Sequence, residues 1–351
     1  MKKLVLLSLV CLVLAISLSV RAATGSPQST AVTPTTGMSP TVTRAVALTS
    51  TPLTATVNMP TPASASFTPG MVPNFDHIIL IVLENEYSQN VIGSPQMPNF
   101  NALAAKNVLL SNYSAITHPS LPNYLALISG SVQNISDDCT DCFVQAPSLP
   151  DEIEASGRTW KAYFEDMPSP CFIGNKKPYQ QIFNPFIYFL SIRLDAVRCN
   201  NSVVPLTQLD SDLASGQLPD FVYIAPNVCH SGHSCSATTA DDWLGGMIAR
   251  LRGSPALGAN SLLIVTFDEG TQRSVPVLTR GEVATLLISP LAQHGLNDST
   301  AYSHYSLLKT ILYAWHLPAL GDTELATTNV IIQPWVDQMG QIYPRELTPG
   351  P

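Results

Sequence analysis

Charged residues are scarce in this chain: they make up 12% of its 351 positions, about half the share usual in soluble proteins. Lysine and arginine together number 17 against 25 acidic residues, so the formal net charge is −8 at pH 7. Proteins that bind nucleic acids need clustered basic residues to neutralise phosphates, and the sequence shows no such footprint. The composition therefore argues against a nucleic-acid partner.

The first 22 residues have the pattern of a secretory signal peptide. Lys2 and Lys3 precede an apolar run at 4–20, and the small residues Val20 and Ala22 flank the expected cleavage region. Cleavage would remove three of the 17 basic residues, leaving 14 against 25 acidic ones and a net charge of about −11. If the segment stays uncleaved, it would instead anchor the chain in a membrane. We expect a protein that is secreted or held in the cell envelope.

Residues 23–71 are dominated by Thr, Pro, Ser and Ala, with almost no charged or aromatic residues. Such a segment cannot bury enough apolar surface to offset its chain entropy, which predicts a disordered spacer. From residue 72 the composition becomes that of a globular protein. We therefore predict one globular domain over 72–345.

Within this domain, short apolar runs alternate with amphipathic ones. The apolar runs predict strands at 77–83, 108–113, 159–164, 221–225, 261–267 and 283–289. Helices are predicted at 97–106, 120–128, 150–156, 207–214, 241–252 (with an acidic first turn) and 305–315. Alternating strands and helices indicate an α/β fold with a mostly parallel central sheet flanked by helices.

Polar side chains follow several of the predicted strands. Glu84 and Asn85 follow the first strand, and Asp268 and Glu269 follow the strand at 261–267. Two further strands lead to His230 and His233, and to His304. Because ligands bind beyond the carboxyl ends of the strands in such sheets, we expect these groups to gather there. Carboxylates and imidazoles together suit a divalent metal ion.

Ser120 opens a predicted helix between Pro119 and Pro122. Proline is tolerated in a first helical turn, whose N–H groups have no intrahelical partner. A serine at this positive end of the helix is placed where a phosphate would be held, as a phosphoryl-transferring nucleophile requires. Taken alone, the same pattern is also that of a serine that caps an ordinary helix.

Five ordered segments carry a family resemblance: LEN at 83–85, THPSLPNY at 117–124, WKAYFEDMP at 160–168, FDEG at 267–270 and HYSLL at 304–308. With these segments the chain resembles the phosphoesterase family, which holds bacterial and fungal acid phosphatases and, more distantly, phospholipases C. That family belongs with the alkaline-phosphatase-like superfamily. The resemblance covers residues 74–336 and implies an alkaline-phosphatase-like fold.

The resemblance also implies roles for individual residues. Ser120 matches the nucleophile, and Asn123 would donate to a phosphoryl oxygen. His304 would be a ligand or a proton donor, and His118 and His233 would act at the leaving group or on phosphate. The metal ligands would be Glu84, Asn85, Asp268 and Glu269. They would hold one divalent ion more readily than two, and the substrate would be a small phosphate ester.

Two positions depart from the family pattern. Phe183 stands where a histidine is expected, and Ser231 where an acid is expected. These changes could alter the metal count or abolish turnover, and His230 could compensate for the missing acid. The acidic side chains of Glu165 and Asp166 either line the pocket of the predicted site or belong to a solvated turn.

Six cysteines remain once Cys11 in the apolar leader is set aside. An even number in a secreted chain predicts three disulfides. Local spacing favours the pairs Cys139–Cys142, Cys171–Cys199 and Cys229–Cys235. A zinc site at the C-x-x-C of 139–142 is the alternative.

Three functions remain open at this point. The first is a metal-dependent acid phosphatase that hydrolyses phosphate monoesters through a covalent phosphoserine at Ser120. The second is a phosphodiesterase or phospholipase C-type activity. The third is a non-catalytic homologue that binds phosphate but has lost turnover through Phe183 and Ser231.

Overall fold

The computed structural model describes residues 71–270 and 281–336. The predicted signal peptide and all but the last residue of the predicted spacer lie outside the described residues, as does 337–345 of the predicted domain. Within the described part of the chain, no helix has the length and apolar character needed to cross a membrane.

Most strands of the described residues form one large sheet. In chain order the strands are β1 His77–Leu83, β2 Val108–Leu110, β3 Tyr113–Ser114, β4 Trp160–Phe164, β5 Val203–Pro205, β6 Phe221–Ala225, β7 Ser261–Phe267, β8 Thr285–Ile288, β9 Asn297–Asp298 and β10 Tyr302–Ser303. Eight of them pair in the order β5-β4-β6-β1-β7-β8-β2-β9, and β10 pairs with β3. In the large sheet only β8 runs antiparallel to its neighbours, which confirms the predicted α/β fold with a mostly parallel sheet.

The helices of the described residues are, in chain order, α1 Ser88–Val91, α2 Pro98–Ala104, α3 Ser120–Ser129, α4 Leu149–Ala155, α5 Leu190–Arg193, α6 Ala196–Ser202, α7 Leu209–Ser215, α8 Ala237–Arg252 and α9 His304–Ala314. Helix α3 is buried along its whole length and ends at Gly130, whose φ of 69° is left-handed. A Cβ at Gly130 would lie 2.0 Å from the backbone oxygen of Leu320, so only glycine fits this helix end.

The central strands β1, β6 and β7 have the predicted bounds, because each is an apolar run buried on both faces. Helix α8 differs from its prediction: it begins at Ala237, where the side chain of Ser236 accepts the backbone N–H of Thr239. The predicted acidic first turn is therefore wrong. Asp241 lies further along the helix and is buried, and its carboxylate accepts the backbone N–H groups of Asn99 and Phe100 at 2.8 Å each.

The sheet register brings two pairs of predicted site residues together. Leu83, the last residue of β1, pairs with Phe267, the last residue of β7. The next residue on each strand is an acid, so Glu84 and Asp268 leave neighbouring strands at the same edge. The backbone N–H of Asp268 also donates to the backbone oxygen of Leu83 at 3.0 Å.

Candidate active site

Ser120 is the first residue of α3 and is 4% exposed. Its Oγ lies 3.2 Å from Oε1 of Glu269 and 3.4 Å from Oε2 of Glu84, and can donate its proton to either carboxylate. The helix start therefore places the hydroxyl between acids from two neighbouring strands, at the positive end of the helix.

Three acids of the site are buried: Glu84 and Asp268 are fully buried, and Glu269 is 5% exposed. Burial, followed by the charge of Asp268, raises the pKa of Glu84 well above its usual range. Burial, followed by the charge of Glu269, does the same to the pKa of Asp268. Among the described residues, His118 is the only basic side chain that forms an ion pair with any of the three. The site is short of positive charge.

Asp268 and Asn85 are joined through the backbone. The N–H of Asn85 donates to Oδ1 of Asp268 at 3.1 Å, and the amide Nδ2 of Asn85 donates to Oε2 of Glu84 at 2.6 Å. Asn85 adopts a left-handed backbone with φ of 59°, which turns the chain sharply after β1. Oδ2 of Asp268 is buried and has no hydrogen-bond partner within 71–270 and 281–336.

These observations test whether the site suits a metal ion. Within the described ranges, no three side chains of His, Cys, Asp and Glu form a ready-made cluster of metal ligands. The acids meet instead around the hydroxyl of Ser120. Their oxygen donors, the unpartnered Oδ2 of Asp268 and the excess of buried negative charge fit a hard divalent cation.

His118 forms an ion pair with Glu269 through Nδ1. The hydrogen bond to Glu269 raises the pKa of His118 above its ordinary value, against the lowering effect of burial. The contact with Glu269 thus favours the protonated form of His118, two residues before Ser120. It is half-buried, with 26% of its side chain exposed.

Asn123 is fully buried and uses all of its hydrogen-bonding capacity on the backbone. Its Oδ1 accepts the N–H groups of Ile116 and Thr117, and its Nδ2 donates to the backbone oxygens of Thr117 and Pro119. No donor is left for a phosphoryl oxygen, so the expected contact with phosphate has to be corrected. Asn123 holds the loop that leads into Ser120.

His304 is also fully buried, and both of its nitrogens are engaged. Nε2 lies 2.6 Å from the backbone oxygen of Asp268, and Nδ1 lies 3.0 Å from the hydroxyl of Tyr113. Burial lowers the pKa of His304 to about 4, which keeps the ring neutral. The expected role as ligand or proton donor does not fit this geometry, because the ring lies behind Asp268 and supports its backbone.

His233 is exposed and packs beside Phe183, with ring centroids 6.3 Å apart. Phe183 in turn lies 6.0 Å from the ring of Tyr124. The backbone oxygen of Ser231, in the same loop as His233, accepts the N–H of Glu84 at 2.9 Å. His233 therefore belongs to a loop against the site, although its side chain makes no polar contact with Ser120.

Two residues of the site have no role in the sequence-based prediction. The hydroxyl of Tyr124 donates to Oε1 of Glu84 at 2.6 Å, and a carboxylate oxygen of Asp138 accepts the N–H of Leu121 at 2.9 Å. Tyr124 lies four residues after Ser120, so the helical repeat could have placed both on one face. Nothing in the sequence links Asp138 to the start of α3.

All three predicted disulfides are present: Cys139–Cys142, Cys171–Cys199 and Cys229–Cys235. The zinc alternative at the C-x-x-C segment is thereby excluded, because both of its thiols are used in a disulfide. The third disulfide closes the loop that carries His230 and His233.

Comparison with known proteins identifies the family to which the chain belongs. A family model described as the phosphoesterase family matches residues 90–318. Over 298 residues the chain is 30% identical to the phosphate-repressible acid phosphatase of Penicillium chrysogenum, which covers 79% of this chain and 69% of that enzyme. It is 28% identical over 257 residues to the phosphatidylinositol-3-phosphatase of Mycobacterium tuberculosis, which covers 71% of this chain and 80% of that protein.

Among solved structures, a protein of the alkaline phosphatase superfamily from Vibrio parahaemolyticus superposes with a TM-score of 0.53 at 12% identity, covering 75% of each chain. At this identity the likeness concerns the fold alone, which this chain shares with that protein. The match of the family model and the identity to the Penicillium enzyme show the family membership of the chain from its sequence. The chain belongs to the phosphoesterase family, whose members hydrolyse phosphoric esters.

Proposed function

We propose that the protein is a secreted, metal-dependent acid phosphatase that hydrolyses small phosphate monoesters through a covalent phosphoserine at Ser120. One observation carries the proposal: the hydroxyl of Ser120 lies at the start of α3 within 3.4 Å of two buried carboxylates, Glu84 and Glu269. A nucleophilic hydroxyl needs a nearby base, which the carboxylates supply, and a phosphoryl group is favoured at the start of a helix, where Ser120 lies.

In the first step Ser120 gives its proton to a neighbouring carboxylate and attacks phosphorus in line with the leaving oxygen. Glu269 is suited to accept that proton, because its Oε1 lies 3.2 Å from Oγ of Ser120. Protonated His118 next to it offers positive charge to the phosphoryl oxygens. Such preorganised groups stabilise the charge that redistributes as the ester bond breaks.

The residues that would hold a divalent ion are Glu84, Asn85, Asp268 and Glu269. When bound, the ion would neutralise phosphoryl charge and favour the alkoxide form of Ser120. Tyr124 would hold Glu84 in place, and His304 would hold the backbone of Asp268. An imidazole would protonate the leaving oxygen, and His118 and His233 are the candidates that the sequence provides.

A second candidate substrate is the phosphate of a phosphoinositide. The likeness to the phosphatidylinositol-3-phosphatase of M. tuberculosis favours it, since that protein is matched over 80% of its length. This substrate is also a phosphate monoester, so the chemistry at Ser120 would be unchanged. Diester hydrolysis, the phospholipase C-type alternative, would require the site to accept a second ester group on phosphorus.

Secretion is part of the proposal and is supported by the signal-like leader and the three disulfides. The substrate would then be extracellular or in the cell envelope. Contact with a membrane is proposed only for a chain that keeps its N-terminal segment, and no nucleic-acid partner is proposed.

The test compares hydrolysis of an aryl phosphate monoester and an aryl phosphate diester by the full chain, with and without a chelator. We expect monoester turnover that the chelator reduces and that the Ser120→Ala variant loses by at least about 10³-fold, the order of effect of losing a catalytic nucleophile. Ser215→Ala, a change at an exposed serine outside the site, should keep the wild-type rate.

Two results would contradict the proposal. A preference for the diester would move the function to the phosphodiesterase alternative. Phosphate binding by a folded chain that shows no turnover with any divalent metal would indicate the non-catalytic homologue.

A further inference from the structure

A second pair of glutamate and histidine lies at the same edge of the sheet as Ser120. Glu165 follows directly after β4, and His230 lies in the loop that follows β6. Nδ1 of His230 is 2.9 Å from both carboxylate oxygens of Glu165. The pair resembles the contact between His118 and Glu269, but it lies on the opposite side of β1.

The carboxylate of Glu165 is held by several hydrogen bonds and so fixes the orientation of this imidazole. It also accepts the indole N–H of Trp243 at 3.1 Å and the backbone N–H of Asn227 at 3.0 Å. Since Nδ1 of His230 donates to Glu165, Nε2 is the nitrogen that remains, and it has no hydrogen-bond partner among the described residues. With 37% of its side chain exposed, His230 can reach a bound molecule.

The backbone of His230 is held as firmly as its ring. Oδ1 of Asn227 accepts the N–H groups of Cys229 and His230 at 2.9 Å each, and the disulfide Cys229–Cys235 closes the loop. The next residue, Ser231, accepts the backbone N–H of Glu84 at 2.9 Å. This loop is therefore fixed to the site at a point one residue from His230.

The sheet order places this histidine on the side where a leaving group can lie. Strand β6 lies between β4 and β1, and adjacent strands are about 4.8 Å apart, so the ends of β4 and β1 are separated by about 10 Å. The alcohol part of an ester whose phosphorus is at Ser120 can extend over the end of β6. The side chain of His233, in contrast, has no polar partner in the part of the chain that the structure describes.

We propose that His230 is the catalytic acid that protonates the leaving oxygen, with Glu165 as its positioning residue; this inference rests on the proposed phosphatase function. As the bond between Ser120 Oγ and phosphorus forms, the bond from phosphorus to the ester oxygen breaks, and that oxygen takes both the bonding electrons and the Nε2 proton of His230. In the second step the oxygen of a water molecule bonds to phosphorus and one of its protons goes to Nε2, while the bond between phosphorus and Ser120 Oγ breaks and Oγ takes back its proton from Glu269.

The test separates leaving groups by their need for a proton. An alkyl phosphate needs an acid catalyst, whereas p-nitrophenyl phosphate releases a stabilised phenolate without one. We expect His230→Asn in the full chain to lower kcat/KM for glycerol 2-phosphate by about 10²-fold and for p-nitrophenyl phosphate by only a few-fold. Glu165→Gln should show the same leaving-group dependence in weaker form. His294→Ala, at an exposed histidine outside the site, should change neither rate.

An equal loss on both substrates would overturn the inference, because a purely structural role of His230 would slow every substrate alike. Melting temperatures of the two variants show whether either loss reflects unfolding. The proposed function is tested separately by Ser120→Ala: if the wild-type rate on p-nitrophenyl phosphate survives that change, the phosphoserine mechanism fails whatever His230 does. A wild-type chain without turnover on either substrate would overturn both proposals.

Discussion

The side chain of Asn123 holds the backbone beside Ser120, the proposed nucleophile. Its amide makes four hydrogen bonds, all to the backbone of residues 116–119. The segment contains His118 and leads into Ser120, so the amide fixes two functional side chains at once. A single buried group that is fully satisfied in this way orders a loop that has no regular structure of its own.

We predict that Asn123→Ala lowers both stability and activity. Four buried backbone groups lose their partner, which costs about 2–4 kcal/mol of unfolding free energy. The measurement is chemical unfolding beside kcat and KM on an aryl phosphate. Asn90→Ala, at an exposed amide that donates to Glu86, is the matched control. A loss of kcat at unchanged stability would instead support a direct contact between Asn123 and phosphate.

Residue types and strand ends were sufficient to bring several site residues together from sequence. In the structure His118 contacts Glu269, and Ser120 contacts Glu269 and Glu84. Asp268 lies beside Glu84 at the ends of neighbouring strands, and the roles of all five residues remain predictions. The backbone contacts of Asn123 and His304 could not be predicted, because a polar side chain can form hydrogen bonds with the backbone as readily as with a substrate. That choice depends on which carbonyls and N–H groups lie nearby, and only the folded chain decides it.

At the scale of elements, the opposite edge of the sheet carries an acid with a structural role. Asp220 precedes β6 and accepts the backbone N–H and the hydroxyl of Thr159, which precedes β4, at 2.8 and 2.6 Å. Arg158 adds an ion pair at 3.1 Å. Burial alone would raise the pKa of Asp220, but Thr159 and Arg158 outweigh it and hold the pKa below its usual value.

We predict that Asp220→Asn destabilises the protein near neutral pH and has less effect in acid. Because the pKa is lowered by folding, the carboxylate stabilises the fold above the unfolded value of about 3.9 and loses that effect as the pH falls through the folded value. The expected drop in Tm is about 2–4 °C near neutral pH, corresponding to about 1 kcal/mol.

The experiment measures Tm of the wild type and the variant from neutral pH down to about pH 3, below the ordinary aspartate pKa. Asp242→Asn, at an exposed acid of α8 outside this contact, should show no such pH-dependent difference. A difference between Asp220→Asn and wild type that stays constant with pH would show that the carboxylate charge is not what ties β4 to β6.

Elements differed in how well the sequence predicted them. Strands β1, β6 and β7 are buried on both faces, so the apolar run and the strand coincide. The stretch from Gln181 to Pro205 contains short helices and the edge strand β5, none of which was predicted. These pieces are too short for a hydrophobic period to appear and are held by Cys171–Cys199 and by packing against β4.

At the scale of the whole molecule, the described part of the chain gathers three buried acids at one edge of the sheet. Several Lys and Arg side chains elsewhere pair with acids, as in the pairs Arg158–Asp220 and Lys161–Asp212. Among the described residues, His118 is the only basic side chain that pairs with the three buried acids at the edge that carries Glu84, Asp268 and Glu269. A fold that tolerates this charge gains stability from any cation that binds there, because the ion binds the folded state and has no preformed site in the unfolded chain.

We therefore predict that Mg²⁺, Mn²⁺ or Ca²⁺ raises the Tm of the chelator-treated full chain. At a metal concentration of one hundred Kd, the free energy of unfolding should rise by about 2.7 kcal/mol.

Asp268→Asn should have opposite effects on Tm in the absence and in the presence of the metal. Without metal it removes a buried, partly unpartnered carboxylate and should raise Tm; with metal it should lose the shift, because a ligand is gone. Asp242→Asn, an acid of α8 away from the site, should keep the wild-type response. If Asp268→Asn showed the same metal-dependent shift as the wild type, the cation would be binding somewhere other than the edge that carries Ser120.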